Sequence, residues 1–189
     1  MPDVNESIDQ LAGAKWFTKL DLSSAFWQLP LAEGSRDCTA FMTRTHGLLR
    51  WKVMPMGLKN ASAIFQREID AALGSLRLDC CLAYIDDVCI YSKGSLADHM
   101  VKVKAVLRAL RLVGFTANPE KCVFAQQSIQ FLGFNIGPEG VYAQEDKVRC
   151  MVDYNRPTCL TELRSFLGLM SYYRKFIKNF AQIAAPLYE

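Results

Sequence analysis

The sequence has few of the residues that build a zinc site. It contains only two histidines, His46 and His99, and its seven cysteines include no Cys-x-x-Cys pair. A structural zinc site therefore does not fit this chain. We expect most of the cysteines to be small buried residues, and several free thiols suit a reducing compartment.

Long apolar stretches are also missing. No run is long enough to span a membrane, no signal peptide is visible, and no repeat or low-complexity tract occurs. We therefore expect an intracellular protein that is neither secreted nor embedded in a membrane. With 189 residues, of which 51% are apolar, the chain can bury one substantial core with a smaller appendage.

A strong charge of either sign is absent as well, since the formal net charge is +3. A nucleic-acid-binding protein of this charge must concentrate its basic residues locally, because phosphate contacts dominate affinity. Basic residues do concentrate toward the C-terminus: Lys147, Arg149, Arg156, Arg164, Arg174, Lys175 and Lys178. This cluster is compatible with holding a duplex, and a solvated helical face explains it equally well.

Two adjacent acids, Asp86 and Asp87, interrupt an apolar stretch between residues 82 and 91. Successive side chains of a strand point to opposite faces, so the sequence predicts a strand, turn, strand hairpin with both acids at the turn. Because two close anions repel each other, a divalent cation such as Mg²⁺ is a natural partner. An isolated pair of acids could instead form a solvated turn.

A third acid, Asp21, lies at the end of another strand-like run, residues 16–22. If this strand lies beside the hairpin that carries Asp86 and Asp87, three carboxylates meet at one edge of a sheet. Two hard cations could share them, which is the arrangement of two-metal phosphoryl and nucleotidyl transfer.

At this point the chain resembles a known family. Residues 20–26 and 84–87 look like the first and third core motifs of reverse transcriptases. Residues 54–66 are similar to the second motif, a Pro-x-Gly loop that runs into a helix. Residues 118–122 resemble the lysine motif, and residues 131–134 resemble the primer-grip hairpin.

The resemblance continues to the C-terminus. Residues 163–169 and 172–177 resemble the start of the thumb in gypsy-class retrotransposon and retroviral polymerases. The fold implied is α+β, a right-hand polymerase palm with a ferredoxin-like β-α-β-β-α-β sheet and helices on one face. The implied domains are a palm over residues 1–156, with the C-terminal half of the fingers at about 30–58 and the primer-grip hairpin at about 129–143, and the start of a helical thumb over 157–189.

Local signals support this order of elements. Asn60 or Ser62 can begin a helix that Gly74 ends. Ser95 and Asp98 form a capping-box variant at the start of a second helix. Its predicted buried stripe is Val103, Val106, Leu107, Leu110 and Val113, before Gly114.

Further predictions concern the fingers and the thumb. Residues 38–43 and 49–54 are predicted to be two finger strands. Residues 131–136 and 140–143 should form another hairpin, and Thr158 is a plausible cap of the next helix.

The resemblance implies roles for the acidic residues. Asp21 and Asp86 would bridge two Mg²⁺ ions, with Mn²⁺ possible, and Asp87 would assist the ion near the primer hydroxyl. The carbonyl of Leu22 would complete the nucleotide-side ion. Lys121 would donate a proton or stabilise charge on the leaving pyrophosphate, although a simple surface lysine explains it almost as well.

It also implies contacts with substrates. Phe26 would exclude a ribose 2′-hydroxyl, and Met56 and Gly57 would touch the incoming deoxynucleotide. The template and primer would contact Tyr84, Ile85, Lys59, Phe131, Leu132 and Gly133. An aromatic residue that follows a strand is otherwise more often a core residue.

Departures from the family pattern bear on activity. Ser62 stands where proline is common, and residues 46–54 differ from the usual finger sequence. The chain begins about twenty residues before Asp21 and stops early in the thumb. The resemblance therefore implies a piece of a Pol polyprotein, or a decayed genomic copy of one, that lacks the N-terminal half of the fingers and RNase H.

Three functions remain open. The first is an RNA-directed DNA polymerase domain that acts on a primed RNA or DNA template, in the cytoplasm or in retroelement particles. The second is an inactive remnant that at most binds template and primer. The third is a palm-like nucleotide cyclase or an RNA-binding sheet, which the three acids and the thumb motif disfavour.

Overall fold

Helices and strands are mixed along the chain, and the helices after residue 144 follow the last strand. The structure, a computed structural model, describes residues 4–188 apart from the side chain of Asn5. The strands are β1 (Trp16–Asp21), β2 (Phe41–Thr43), β3 (Gly47–Leu49), β4 (Cys81–Tyr84), β5 (Asp87–Ser92), β6 (Val123–Gln126), β7 (Ile129–Phe131), β8 (Phe134–Gly137) and β9 (Gly140–Ala143). The helices are α1 (Val4–Gln10), α2 (Glu33–Arg36), α3 (Ala61–Leu73), α4 (Leu76–Asp79), α5 (Leu96–Leu112), α6 (Glu145–Val152), α7 (Leu160–Tyr172) and α8 (Phe180–Ala184). Short 3₁₀ turns cover Ala25–Gln28, Asp37–Thr39, Arg174–Phe176 and Ala185–Leu187.

The described range bears on two of the predictions. The predicted domain limits at residues 1 and 189 lie outside the described residues. Within residues 4–188, no helix has both the length and the apolar character needed to cross a membrane.

A four-stranded antiparallel sheet forms the centre of the protein. Its strand order is β4-β5-β1-β6. Along the chain α3 lies between β1 and β4, and α5 lies between β5 and β6. The predicted β-α-β-β-α-β arrangement is therefore confirmed. The β2–β3 hairpin and the β7-β8-β9 sheet are separate small sheets.

Side-chain alternation gives the central sheet two buried faces. One face, which includes Leu20 and Val88, packs against α3 and α5. The other face, which includes Phe17, packs against α1 and the β7-β8-β9 sheet. Asp21 lies four residues after Phe17 and pairs with Asp87. Both acids therefore project from the same face as Phe17, opposite α3 and α5.

A polar network is buried between the sheet and α5. His99 is fully buried, with Nε2 2.8 Å from Thr18 Oγ1 and Nδ1 3.0 Å from Ser92 Oγ. The same Thr18 oxygen accepts a hydrogen bond from the Ala125 backbone N–H at 3.1 Å. Burial, and to a lesser extent the charge of Lys102, lowers the pKa of His99. The folded protein therefore favours the neutral ring, which joins α5 to three strands.

Helix α5 begins as predicted, with a reciprocal capping box. The Ser95 hydroxyl accepts a hydrogen bond from the Asp98 N–H at 3.2 Å, and the Asp98 carboxylate accepts one from the Ser95 N–H at 2.9 Å. The predicted stripe is only partly correct. Leu107 and Val113 are 38% and 55% exposed, because a helix that covers a sheet on one side leaves the edges of its apolar stripe in solvent.

The two predicted finger strands are partly wrong. The structure has only the short strands β2 and β3, and Asp37–Thr39 forms a 3₁₀ turn. Beyond β3, Val53 makes an isolated bridge to Pro30, and the Met54 N–H donates to the Leu29 carbonyl at 2.9 Å. This stretch is tied to the loop after β1, so it does not extend the β2–β3 hairpin.

Two predicted ends also differ from the structure. Thr158 does not cap α7 with its side chain. Instead, the Glu162 carboxylate accepts hydrogen bonds from the Thr158 N–H and hydroxyl at 2.7 and 2.9 Å. The predicted strand over residues 131–136 is two strands, since Leu132 and Gly133 form the turn between β7 and β8.

The prediction that most cysteines are buried is only partly correct. All seven are free. The buried ones are Cys80, Cys81 and Cys89, and the exposed ones are Cys38, Cys150 and Cys159.

The buried His99 predicts a pH-dependent stability. As the pH falls through the ordinary histidine value of 6.5, the unfolded chain binds a proton before the folded chain does, so stability falls. Urea unfolding between pH 7.5 and 6 should show this loss, and His99→Gln should flatten it. His46→Gln, at the exposed histidine, is the control and should keep the slope. Equal slopes in His99→Gln and the unmodified protein would contradict the prediction.

Candidate active site

The two adjacent acids lie at the turn between β4 and β5. Tyr84 pairs with Asp87, so Ile85 and Asp86 form the turn itself and Asp87 begins β5. Ile85 has φ of 55°, a left-handed conformation that is strained for a β-branched residue. Asp86 is exposed, whereas Asp87 is half-buried. A strained turn persists only where its surroundings hold it.

Gln66 of α3 holds this turn from the inside. Its side chain is buried, and Oε1 accepts a hydrogen bond from the Ile85 N–H at 2.8 Å. Its Nε2 donates to the Ala83 carbonyl at 2.9 Å and to Asp70 Oδ1 at 3.1 Å. One amide therefore satisfies backbone groups on both sides of Tyr84.

Asp21 meets the other two acids at the same end of the sheet. It is the last residue of β1 and pairs directly with Asp87. The next N–H, of Leu22, donates to the Asp86 carbonyl at 3.0 Å, and the Asn118 N–H donates to the Asp21 carbonyl at 2.8 Å. The structure thus brings together Asp21, Leu22, Asp86 and Asp87 of the predicted site.

Charge at this edge is only partly balanced. Burial raises the pKa of Asp87, and the charges of Asp86 and Asp21 raise it further. Lys19 opposes them, with its Nζ 2.9 Å from Asp87 Oδ1. On the outer side, Lys121 Nζ lies 4.0 Å from Asp21 Oδ1 with its side chain 66% exposed.

The donor chemistry of this edge fits a hard divalent cation. Carboxylate oxygens are the ligands that Mg²⁺ and Mn²⁺ prefer, and Asp21, Asp86 and Asp87 supply them. Among residues 4–188, however, no three acidic, histidine or cysteine side chains converge closely enough to hold one ion. A cation would have to draw the three acids together, and at Asp87 it would compete with the Lys19 ammonium.

The loop after Asp21 carries Phe26. This side chain is half-buried, and its ring meets Phe65 of α3 edge-on at 5.7 Å. Gln28 fixes the loop: its Nε2 donates to the carbonyls of Ser23 and Thr116 at 2.5 and 3.0 Å, and its Oε1 accepts from the Thr116 N–H at 2.7 Å.

The residues predicted to touch the nucleotide lie in an exposed loop before α3. Met56 is 67% exposed, and Lys59 is exposed as well. Gly57 has φ of 88°, and a Cβ placed there would meet nothing within 4 Å. Glycine at this position therefore serves the backbone conformation and leaves the surface open to a ligand.

The predicted primer-grip turn is fastened to α7. Leu132 and Gly133 both have positive φ, as a tight hairpin turn of the primed type requires. The Tyr172 hydroxyl donates to the Leu132 carbonyl at 2.7 Å, and the Tyr173 hydroxyl donates to the Gly133 carbonyl at 3.3 Å. Phe131 is buried as a whole residue, so the predicted primer contact has to come from the turn at Leu132 and Gly133.

A family model described as reverse transcriptase (RNA-dependent DNA polymerase) matches residues 1–136. The chain belongs to the reverse transcriptase family.

Its relatives are retroelement polyproteins, which confirms the predicted Pol class. The chain is 40% identical over 187 residues to the retrovirus-related Pol polyprotein from transposon gypsy of Drosophila melanogaster, covering 99% of this chain and 18% of that polyprotein. It is 33% identical over 187 residues to the transposon Tf2-3 polyprotein of Schizosaccharomyces pombe, covering 99% of this chain and 14% of the other. The chain therefore spans less than a fifth of the length of these relatives.

Solved structures share the fold. The foamy viral protease-reverse transcriptase in complex with double-stranded DNA matches with a TM-score of 0.88 and 27% identity, over 100% of this chain and 32% of that one. The same viral protein in complex with an RNA/DNA hybrid matches with a TM-score of 0.84 and 27% identity, over 98% of this chain and 25% of that one. The predicted α+β polymerase fold is confirmed.

Sequence reasoning missed three residues of this reverse transcriptase site. Gln66 was part of the second motif but had no role assigned, and a buried glutamine on an apolar helix face is the signal that could have found it. Lys19, a lone charge inside an apolar strand, was a similar signal. Gln28 offered none, because its partner Thr116 lies 88 residues farther along the chain.

Gln66 predicts a localised loss of stability. Gln66→Leu leaves the Ile85 N–H and the Ala83 carbonyl without partners, which should destabilise the fold by about 1–3 kcal/mol in urea unfolding. The Ile85 amide should also lose protection against hydrogen exchange. Gln182→Leu, at an exposed glutamine of α8, is the matched control and should change neither quantity. Retained protection of Ile85 in Gln66→Leu would refute this role.

Proposed function

We propose that this chain is the palm-containing part of an RNA-directed DNA polymerase that adds deoxynucleotides to a primer 3′-hydroxyl. The observation that carries the proposal is the pairing of Asp21 with Asp87, beside Asp86 in the adjoining turn. In a member of the reverse transcriptase family, three hard oxygen donors at one sheet edge suit nucleotidyl transfer with divalent cations.

Each acid has a part in this proposal. Asp21 and Asp86 would be the main ligands of the cations, Asp87 would assist on the primer side, and the Leu22 carbonyl would assist on the nucleotide side. Divalent cations bound there lower the pKa of the primer hydroxyl and neutralise phosphate charge. The half-burial of Asp87 and its raised pKa support a site that gains from added positive charge.

Neighbouring residues would bind and orient the nucleotide. Phe26, held between Phe65 and the substrate, would exclude a ribose 2′-hydroxyl. Met56 and the backbone at Gly57 would touch the base and sugar. Lys121, whose exposed ammonium lies near Asp21, would donate a proton or positive charge to the departing pyrophosphate.

Template and primer would lie against the end of the sheet that carries the three acids, on the side opposite α3 and α5. Tyr84 and Ile85 would form the floor at the primer end, and Lys59 would meet a phosphate. The backbone at Leu132 and Gly133, clamped by α7, would position the primer terminus.

The partners proposed are a primed RNA or DNA template, deoxynucleoside triphosphates and the rest of a Pol polyprotein. Exposed apolar side chains on the β2–β3 hairpin support a protein partner there: Met42 is 73% exposed and Leu48 is 68% exposed. The seven free thiols support a location in the cytoplasm or in retroelement particles.

A second candidate is binding of template and primer without catalysis. Two observations favour it: the described acids do not converge on a single ion position, and Lys19 forms an ion pair with Asp87. The two candidates differ in whether nucleotide is incorporated.

Incorporation of a labelled deoxynucleotide on an RNA template with a DNA primer separates them. With Mg²⁺ or Mn²⁺, Asp86→Asn should reduce the rate on the order of 10²-fold or more, because it removes one charged ligand of the cations. Asp9→Asn, at an exposed acid of α1, is the control and should keep the full rate. No incorporation by any of the three proteins, with template and primer still bound without metal, would establish the second candidate.

A further inference from the structure

Lys19 is the least expected residue of the acidic edge. It lies on β1 two residues before Asp21 and therefore on the same face. Its Nζ is 2.9 Å from Asp87 Oδ1, and each of the two side chains is only 25% exposed. Lys121, the other ammonium near the acids, is 66% exposed and 4.0 Å from Asp21. The Lys19 side chain is therefore the more buried of these two lysines.

The position of this ion pair creates a competition. An oxygen that accepts a hydrogen bond from an ammonium gives less of its charge to a second cation, and the two cations also repel each other. The half-buried Asp87 gains from any positive charge nearby, because Asp21 pairs with it and Asp86 precedes it in the turn, so three carboxylates lie close together. Lys19 and a divalent cation thus offer Asp87 alternative partners.

We propose that Lys19 is a built-in counter-ion that neutralises Asp87 in the metal-free chain and must be displaced when a divalent cation binds, so that it sets the cation concentration the site requires. This inference rests on the proposed function and deepens it. Lysine suits such a role because its flexible stem lets the ammonium leave without moving β1. Lys19 is a positioning residue, since it acts through Asp87.

Mn²⁺ binding to the unmodified chain, followed by calorimetry and by the electron paramagnetic resonance signal of free Mn²⁺, tests the proposal. Lys19→Met should bind Mn²⁺ about tenfold more tightly, because a like charge beside the site is removed. In a chelator, Lys19→Met should melt at a lower temperature than the unmodified chain, and Mn²⁺ should raise its melting temperature by more. Lys15→Met makes the same change in net charge four residues earlier on an exposed side chain, and should leave the affinity within about twofold because salt screens distant charges.

A second variant guards against a folding defect in Lys19→Met. Lys19→Arg keeps the charge and adds a fork that grips a carboxylate through two hydrogen bonds, so Mn²⁺ should bind more weakly than to the unmodified chain. Equal affinity in both Lys19 variants and the control would overturn the role of Lys19 while leaving the proposed function intact. Weaker binding by Lys19→Met would overturn it too. Absence of Mn²⁺ binding in every protein, including the unmodified chain, would overturn the proposed function itself.

Discussion

The register of β1 against β5 determines whether a site exists at all. Paired residues run without interruption from Trp16 and Ser92 to Asp21 and Asp87. A slip of one residue would move every side chain of β1 to the opposite face and separate the two acids. The register is held by apolar neighbours, since Leu20 and Val88 are both fully buried and each such side chain contributes about 1.5–3 kcal/mol. The hydrophobic core beneath therefore sets the positions of the acidic side chains.

Three neighbouring carboxylates repel each other and destabilise the protein when no cation is bound. Neighbouring residues reduce this destabilisation in different ways. Gln66 satisfies the backbone of a strained turn, whereas Lys19 supplies opposite charge to the half-buried Asp87. Neither residue neutralises all three acids. The three acids are therefore only partly neutralised at the point where phosphate chemistry is proposed.

Features set by short-range chemistry could be predicted from the sequence. The acids at the turn, the capping box of Ser95 and Asp98 and the β-α-β-β-α-β order all follow from local periodicity and from the ordered motifs. Features that depend on distant partners were missed. Residues 49–54 have strand-like composition, yet only Leu49 lies in a strand, because the backbone farther along pairs with the loop at Leu29. Likewise, nothing near Gln28 or Gln66 in sequence discloses their partners, which lie 88 and 19 residues away.

The contacts of Gln66 also have a mechanical consequence. The loop at Met56 and Gly57 leads directly into α3, and Gln66 reaches from that helix to the turn of Ile85 and Asp86. The surface proposed to receive a nucleotide and the turn that carries the acids are therefore connected through α3. A mispaired nucleotide that tilts the start of α3 would also shift the acids. If the chain adds deoxynucleotides as proposed, a mispaired nucleotide would then slow bond formation, in addition to any difference in how tightly right and wrong nucleotides bind.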